Sequence, residues 1–498
     1  MSADPTPVPA PWRVLADALV ARAATDTDRL AYDDGAERVT FGQLADRAAE
    51  RARTLAGLGV TRGDRVALVL PAGVLFTEVF WALQLLGAAP CALNPAGGAN
   101  AIARGVALVR PRLVIDERTS WDRPAGSPPV PAGAAQPDDL AFLQPTSGTS
   151  GSARAACVRQ RNVLAFLRST RDAGHFRDDD VIAAWVPPWH DFGLVRFVIG
   201  AVYFGLPCHI VQPAISTIPE WLRTISRVGG TVSGAPDFCY RLAARMVDPG
   251  SVDLRSLRNA GNGGEPPLRS TIEAFESRFS VPGVVLPGYG LAEAVLGVSA
   301  HVPGEALSVD RRGNVSCGRI LPGLEVRAGQ DVEEPAEILV RGASVFAGYL
   351  DAPADTAERV RDGWLHTGDS GYLDAEGRLF VLGRRRGMLK RAGVVVAPRE
   401  LEEAAQRVAG VRVAAAVDVA LGAPGQRGIA VVVEARVPDE EEARIAADVS
   451  REVVDRAGFA PDRVLVVAPH AVPRTENGKI RHEALRDELE RTRGIAPA

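Results

Sequence analysis

The residues best suited to chemistry lie at positions 143–156, where an apolar run (residues 140–143) leads into hydroxyls, glycines and an arginine. Gly148 and Gly151 would let backbone N–H groups approach an anion closely, while the hydroxyls add short donors and Arg154 adds charge. This differs from the GxxxxGK[ST] loop, because the two glycines are three residues apart and no Gly-Lys-Ser/Thr follows. By itself the stretch fits either an ordinary polar turn or a strand opening into a phosphate-binding loop with these contacts: Thr146, Ser147, Gly148, Thr149, Ser150, Gly151 and Arg154.

A second group of polar residues follows another apolar strand. His190 and Asp191 stand there between Trp189 and Phe192. The aromatic side chains indicate an apolar wall or part of the core. The pair itself is most simply a helix cap beside a structural histidine, and Asp191 could instead pair with an ammonium group.

Two glycine turns complete the candidate site in the first 300 residues. The first is the tight turn Asn262, Gly263, Gly264, Glu265 and Pro266. The second follows a strand and contains Tyr289, Gly290 and Glu293, which could stack on a flat heterocycle and bind a hard cation through oxygen. The simpler interpretation of the second turn is a strand-to-helix connection with Glu293 in the first helical turn.

Three further polar residues follow toward the C-terminus. Asp369 follows a tight turn and could accept two hydroxyl hydrogen bonds, as from a ribose. Arg384 begins a triplet of arginines that ends at Arg386, and Lys479 follows a glycine near the C-terminus.

The elements that position these residues alternate between β-rich apolar runs and amphipathic stretches from about residue 30 to 300. This alternation predicts an α/β fold with parallel sheets sandwiched by helices. Residues 337–381 predict a small β subdomain, and the remainder predicts a compact α+β unit. We expect a large N-terminal domain (1–383), a hinge (384–386) and a smaller mobile C-terminal domain (387–498).

Composition narrows the class of protein. The 498 residues carry a net charge of −4, which gives no support for nucleic-acid binding. The five cysteines are scattered without a CxxC pair, so a reduced, cytoplasmic protein is expected. No unbroken run of about 20 apolar residues predicts a membrane span.

Taken together and in this order, the motifs resemble those of the adenylate-forming superfamily: acyl-CoA synthetases, fatty acyl-AMP ligases and nonribosomal adenylation domains. Thr146 to Ala155 is similar to the family's [ST]-S-G-[ST]-[ST]-G-x-P-K-G loop. The segments His190-Asp-Phe-Gly-Leu and Tyr289-Gly-Leu-Ala-Glu are most similar to H-D-M-G-L and Y-G-L-A-E of acyl-AMP ligases that load carrier proteins.

The resemblance implies ATP and Mg²⁺ as cofactors. It places the phosphates at Thr146–Gly151 and Arg154, Mg²⁺ at Glu293 and Thr146, and the ribose at Asp369. It places the adenine between Gly264–Pro266 and Tyr289–Gly290, with Arg384 on the nucleotide and Arg386 as the pivot. The catalytic residues would be Lys479, Glu293 and His190. Lys479 would bridge the carboxylate and the α-phosphate, and His190 would stand at the mouth of the acid pocket, whose residues are Trp189, His190, Asp191, Phe192, Asn262 and Gly263.

The chain also departs from the family pattern. Ala153-Arg154-Ala155 replaces Pro-Lys-Gly, and arginine differs from lysine in shape and reach. Gly387 stands where an acidic residue is usual. Since Glu293, Asp369 and Lys479 are present, we expect an active enzyme with altered nucleotide kinetics.

The resemblance leaves the substrate and the acceptor open. It implies activation of a carboxylic acid, a fatty or other acyl acid, with release of pyrophosphate and transfer to the phosphopantetheine thiol of a separate acyl or peptidyl carrier protein. The alternatives are free CoA as acceptor, an amino acid as substrate, or a non-catalytic nucleotide-binding relative.

Overall fold

The computed structural model describes residues 12–122, 124, 134–146, 153–391, 394–421, 427–474 and 480–491. The chain divides into two compact units. The first unit comprises Met1–Arg327, Leu339–Thr367 and Leu373–Phe380, and the second comprises Ala328–Ile338, Gly368–Tyr372 and Val381–Ala498. The boundary and hinge that the sequence suggests at residues 383–386 stay predictions.

In the described part of the chain, the strands are β1 (Leu30–Asp33), β2 (Arg38–Thr40), β3 (Arg65–Val69), β4 (Ala89–Ala92), β5 (Leu113–Asp116), β6 (Leu140–Thr146), β7 (Arg154–Arg159), β8 (Ile182–Ala184), β9 (Cys208–Ile210), β10 (Val232–Ala235), β11 (Asn259–Asn262), β12 (Val285–Tyr289), β13 (Ser299–Ala300), β14 (Arg319–Ile320), β15 (Leu324–Arg327), β16 (Ala336–Gly342), β17 (Val360–Arg361), β18 (Trp364–Leu373), β19 (Leu379–Arg384), β20 (Leu389–Arg391), β21 (Val394–Val396), β22 (Val411–Ala420), β23 (Arg427–Ala435) and β24 (Arg463–Val467).

The α-helices in the same part are α1 (Leu15–Thr25), α2 (Phe41–Gly57), α3 (Val74–Leu86), α4 (Ala99–Val109), α5 (Gln160–Asp172), α6 (Asp191–Gly193), α7 (Gly200–Phe204), α8 (Ile218–Val228), α9 (Asp237–Met246), α10 (Arg269–Phe279), α11 (Pro353–Arg359), α12 (Pro398–Gln406), α13 (Asp439–Ala457) and α14 (His482–Arg491). A π-helix covers Leu194–Ile199, and 3₁₀ turns cover Ile215–Thr217, Pro249–Ser251, Ala292–Ala294 and Arg385–Gly387.

The largest sheet of the first unit has nine strands in the order β14-β13-β12-β11-β10-β8-β9-β1-β2. Its centre, from β12 to β9 and on to β1, is parallel, whereas the pairs β1–β2, β12–β13 and β13–β14 are antiparallel. The sheet is therefore mixed, since antiparallel pairs at both edges border the parallel centre that the sequence predicts.

The apolar runs form this parallel centre because its strands are covered on both faces. The strands β8, β9 and β10 are buried along their whole length. The helix α8 shows how the local sequence sets an element: Pro219 stands in its first turn, and Gly229 ends it with a left-handed φ of 63°. Trp221 on this helix is fully buried and packs against Trp185.

Two smaller sheets and two further strand pairs belong to the first unit. A parallel sheet has the order β4-β3-β5, and β6 and β7 form an antiparallel hairpin. Further along, β15 pairs with β16, and β17 with β18, both antiparallel. Residues 324–384 thus contain the short strands that the sequence predicts.

The second unit contains the sheet β22-β23-β24 and the hairpin β20–β21. The helices α12 and α13 cover one side of the sheet through a cluster that includes Leu401, Ile445 and Val449. Leu485 of α14 packs in a second cluster with residues of β22 and β23. This is the compact α+β arrangement that the sequence predicts.

The α/β fold class is confirmed, and so are most of the predicted elements. The sequence predicts helices at residues 218–228 and 439–457 and strands at residues 394–396 and 463–467, and α8, α13, β21 and β24 have these bounds. Of the strand predicted at residues 181–186, only Ile182–Ala184 forms. Across the described residues, no helix has the length and apolar character needed to cross a membrane.

Candidate active site

Four parallel strands of the nine-stranded sheet end along one edge. The neighbours β8, β10, β11 and β12 are in register through the pairs Ile182–Val232, Ala235–Asn262 and Asn262–Pro287. The polar segments predicted from the sequence follow the carboxyl ends of β8, β11 and β12. Because these ends lie side by side, the fold gathers the predicted segments at the position where open α/β sheets bind ligands.

The His190–Asp191 pair lies after β8. His190 Nδ1 is 2.7 Å from Asp191 Oδ1, and the same oxygen accepts a hydrogen bond from the Phe192 N–H at 2.7 Å. The Asp191 side chain is 9% exposed and that of His190 is 47% exposed. The buried carboxylate therefore holds the start of α6 and orients an imidazole that faces accessible space.

The aromatic residues beside this pair contact neighbouring strands. The Trp189 carbonyl accepts a hydrogen bond from Gln144 Nε2 on β6 at 3.1 Å. The Phe192 ring lies against β10, where a Cβ added to Gly234 would come within 2.8 Å of its Cζ. Gly234 is thus required for Phe192 to lie on the sheet.

Asp237, which the sequence did not indicate, holds the turn after β11. Asn262 Nδ2 donates to Asp237 Oδ1 at 2.9 Å, and this oxygen also accepts from the Leu268 N–H at 2.9 Å. Glu265 Oε1 accepts from the Phe238 N–H at 2.6 Å. All three bonds involve Asp237 or Phe238 in the first turn of α9, so they fix the turn against this helix.

An acceptor without a hydrogen-bond partner and exposed backbone in this turn indicate a ligand-binding position. Asn262 is 1% exposed, and its Oδ1 has no hydrogen-bond partner in the structure. Gly263 is half-buried, whereas Gly264 and Pro266 are exposed, and Gly264 adopts φ +86°, which favours glycine. The turn presents accessible backbone next to an acceptor that still lacks a donor.

Tyr289 ends β12, and the chain then turns tightly into the 3₁₀ turn that contains Glu293. A Cβ on Gly290 would lie 1.7 Å from the Leu296 carbonyl oxygen, so only glycine fits there. Glu293 is 6% exposed, and its Oε1 accepts a 2.5 Å hydrogen bond from the Tyr349 hydroxyl. Arg359 Nη2 is 3.5 Å from the same oxygen.

Tyr349 remains a hydrogen-bond donor to this carboxylate. Burial, followed by the nearby charge of Glu293, raises the pKa of Tyr349 well above its ordinary value. The phenol therefore keeps its proton at neutral pH, and the hydrogen bond fixes the orientation of the Glu293 carboxylate.

These donors are compatible with Mg²⁺. Among the described residues, no three His, Cys, Asp or Glu side chains cluster as a metal site. Mg²⁺ in nucleotide-dependent enzymes is commonly held by one or two carboxylates together with substrate phosphates. A single oriented carboxylate, Glu293, suits that mode of binding.

The predicted phosphate loop lies at the tip of the β6–β7 hairpin. Thr146 ends β6 and pairs with Arg154 at the start of β7, and its hydroxyl donates to the Arg154 carbonyl at 3.3 Å. Arg154 Nη2 forms an ion pair with Asp355 at 2.6 Å, and its guanidinium lies 5.4 Å from the Tyr349 ring centroid. The predicted contacts Ser147, Gly148, Thr149, Ser150 and Gly151 lie outside the described residues.

A later segment joins this hairpin to Glu293. The N–H groups of Ala347 and Leu350 donate to the carbonyls of Cys157 and Ala155 on β7, each at 2.9 Å. The neighbouring Phe346 N–H donates to the Glu293 carbonyl at 2.8 Å. Residues 346–350 therefore place the hairpin, Tyr349 and the Glu293 carboxylate together.

The predicted residues of the second unit include one ion pair. Asp369 on β18 is 7% exposed, and its Oδ1 is 3.1 Å from Arg384 Nε on β19. Arg386 lies in the 3₁₀ turn Arg385–Gly387. Lys479 lies outside the described residues.

The sequence analysis missed Tyr349, Arg359 and Asp355. Tyr349 is 56 residues from Glu293 in the chain, and Asp355 is 201 residues from Arg154. No local spacing links such distant residues, so the sequence alone offered no signal for these contacts.

Comparisons with known proteins agree with this architecture. The family described as AMP-binding enzyme matches residues 19–350. A Mycobacterium tuberculosis protein named as a ligase is 30% identical over 511 residues, which cover 89% of this chain and 93% of that protein. A medium-chain-fatty-acid–[acyl-carrier-protein] ligase of Teredinibacter turnerae is 29% identical over 421 residues, covering 72% of this chain and 64% of that one.

A solved structure from a study of fatty acyl-adenylate ligases of E. coli and L. pneumophila superimposes with a TM-score of 0.84 and 26% identity. The match covers 96% of this chain and 98% of the other. The chain belongs to the AMP-binding enzyme family, within the adenylate-forming superfamily. It is an ATP-dependent ligase that forms acyl-adenylates.

Proposed function

We propose that this enzyme activates a fatty or other acyl acid and then passes the acyl group to the phosphopantetheine thiol of a separate acyl or peptidyl carrier protein. The observation that carries the first half-reaction is the buried Glu293 carboxylate, fixed by Tyr349 beside the β6–β7 hairpin. The similarity to a carrier-protein ligase supports the acceptor.

The chemistry of the first half-reaction brings two anions together. The carboxylate oxygen attacks the α-phosphorus of ATP, the bond from the α-phosphorus to the bridging oxygen breaks, and pyrophosphate leaves. Thr146 and Arg154 would hold the phosphates, and Mg²⁺ at Glu293 and Thr146 would neutralise their charge. Lys479 would stabilise the charge that builds between the carboxylate and the phosphate, because fixed cations in a water-poor site are a large catalytic term.

The adenine would bind at the carboxyl edge of the sheet. Asn262 Oδ1 lacks a donor and suits an exocyclic amine, while Tyr289 offers an aromatic face. Asp369, with Arg384 at 3.1 Å, would accept the ribose hydroxyls.

The surroundings of Asp191 favour an acyl acid over an amino acid. Asp191 Oδ1 receives the Phe192 N–H and contacts His190, so this carboxylate serves the start of α6. The nearby surface consists of the Phe192 and Phe197 rings, which are buried and stacked 5.9 Å apart. We therefore place the acyl chain here, with His190 at the entrance.

ATP–pyrophosphate exchange with fatty acids of graded length, aryl acids and amino acids tests the first half-reaction. Exchange should occur with acyl acids and not with amino acids. Incubation with radiolabelled acid, ATP and either a phosphopantetheinylated carrier protein or free CoA tests the second half. Faster labelling of the carrier supports the proposal, whereas exclusive formation of acyl-CoA would assign the acceptor as CoA. The absence of exchange with every acid would refute the function.

A further inference from the structure

The π-helix after the His190–Asp191 pair carries an arginine toward the sheet. Arg196 lies four residues after Phe192, so the two side chains share one helix face. Its Nη2 donates to Asn259 Oδ1 at 2.6 Å, at the start of β11. A Cβ added to Gly261 would lie 3.4 Å from its Cζ, which places the guanidinium against the middle of β11.

The charge of Arg196 has no carboxylate partner among the described residues. Its Nε is buried without a hydrogen-bond partner, and its guanidinium lies over the rings of Phe176 and Phe197 at 5.2 and 5.8 Å. A charge held away from water costs free energy unless it is paired. Arg196 therefore has unused capacity to bind an anion.

Asp180, a carboxylate near Arg196, already has other partners. Asp180 forms an ion pair with Arg258, whose Nε is 2.8 Å from its Oδ1. It also accepts hydrogen bonds from the Thr231 hydroxyl and the Arg177 N–H, both at 2.7 Å. Asp180 thus bonds its own partners and attracts Arg196 only at longer range, without a direct ion pair among the described residues.

Arg196 is not fully enclosed. Burial, the largest cause, lowers the pKa of Arg196 to about 10. Both Arg196 and Gly261 nevertheless keep accessible surface and are only half-buried. Arg196 therefore keeps surface that a ligand can contact.

A second polar side chain next to Arg196 also lacks a partner. His175 is 3% exposed, its Nε2 has no hydrogen bond, and its carbonyl accepts from Asn259 Nδ2 at 2.8 Å. Burial and the charge of Arg196 lower the pKa of His175 to about 3, so the imidazole is neutral at pH 7. Asn259 thus joins two groups with spare hydrogen-bonding capacity at the start of β11.

We propose that Arg196 determines substrate specificity by binding a second carboxylate at the distal end of the acid. This inference rests on the proposed function, since it assumes that the acyl chain runs from His190 along Phe192. His190 caps the helical segment and Arg196 lies in the π-helix Leu194–Ile199 that continues it. The substrate class is therefore a dicarboxylic acid long enough to span the distance from the His190 end of this segment to Arg196.

The test compares matched acids in ATP–pyrophosphate exchange. Straight-chain alkanoic acids and α,ω-dicarboxylic acids of equal carbon number, graded in length, are measured with the wild type, Arg196→Met and Arg196→Lys. Wild type should prefer the dicarboxylic acid in kcat/KM by about tenfold to a hundredfold, the range of a charge-assisted hydrogen bond. Arg196→Met should reverse the preference, and Arg196→Lys should keep it at reduced size.

Arg171→Met is the matched control. Its guanidinium also lies over aromatic rings, those of Tyr203 and Phe204 at 5.5 and 5.3 Å, and it is not part of the proposed pocket. The control should retain the wild-type preference. Thermal unfolding of each variant verifies that it is folded, and the lysine variant provides the test if the methionine variant is not.

The test distinguishes failure of this inference from failure of the proposed function. If wild type prefers alkanoic acids, or if the folded Arg196 variants keep the wild-type ratio within twofold, the inference is overturned and the adenylation chemistry stands. If no acid supports exchange, the proposed function fails and the inference falls with it.

Discussion

Replacing Tyr349 with phenylalanine should weaken the response of the enzyme to Mg²⁺. The change removes one hydroxyl and keeps the ring, which packs against Phe346 with centroids 5.0 Å apart. What is lost is the 2.5 Å hydrogen bond to Glu293 Oε1. Since Arg359 Nη2 stands at 3.5 Å, little remains to orient the buried carboxylate.

The size of the effect follows from this geometry. A hydrogen bond to a charged group contributes about 1.5–3 kcal/mol. Removing a partner that orients a metal ligand lowers metal affinity by about 10- to 100-fold, which agrees with that range. We therefore expect the Mg²⁺ concentration for half-maximal exchange to rise by about 10- to 100-fold, with a smaller change in the rate at saturating Mg²⁺.

The assay is ATP–pyrophosphate exchange over a Mg²⁺ titration at fixed ATP. Tyr203→Phe is the control, because Tyr203 is buried against Trp12 and its hydroxyl makes no hydrogen bond in the described structure. A Tyr349→Phe enzyme whose Mg²⁺ dependence lies within twofold of wild type would show that Glu293 does not bind the metal or that the hydroxyl does not orient it.

Three further predictions test other parts of the site. Lys479→Ala should slow adenylation by about 10²–10³ in kcat while ATP binding, measured by calorimetry, stays near wild type; adenylation within tenfold of wild type would exclude the role. Asp369→Asn should raise the KM for ATP by about tenfold or more, because it weakens the acceptor for the ribose hydroxyls and the partner of Arg384; an unchanged KM would place the ribose elsewhere. His175 has a pKa of about 3 when folded, below its ordinary value of 6.5, so the unfolded chain binds a proton that the folded chain excludes. Stability should fall by about 1.4 kcal/mol per unit as the pH drops from about 6.5 toward 3, and His175→Asn should remove this part of the slope in urea unfolding; equal slopes would contradict it.

The elements of the fold were largely predictable because their signals are local. The helix at Ile218–Val228 has its proline and its terminal glycine within its own sequence, and its bounds are as predicted. Antiparallel edges such as β12–β13 were not predictable, since nothing in the two residues of β13 indicates which strand they join.

The candidate site likewise contains some residues that the sequence indicates and others that only the structure reveals. Glu293, Asn262 and His190 stand in recognisable turns, and the parallel register explains why they face one edge. Tyr349 and Arg196 required the structure, because their roles depend on contacts with residues far away in the chain. An arginine in an apolar helix does not indicate a binding role by its sequence position. Only the structure shows that Arg196 forms no ion pair with a carboxylate among the described residues.

The bonding of residues 347–350 to β7 has a consequence for synthesis of the chain. Arg154 and its partner Asp355 are separated by 201 residues. At 5–20 residues per second, the ribosome needs about 10–40 s to make that stretch. During this interval β7 can pair with β6 on one edge, whereas its other edge stays unpaired until residues 347–350 have been made. An unpaired strand edge can associate with other chains, so nascent chains stalled in this interval should be especially prone to aggregate.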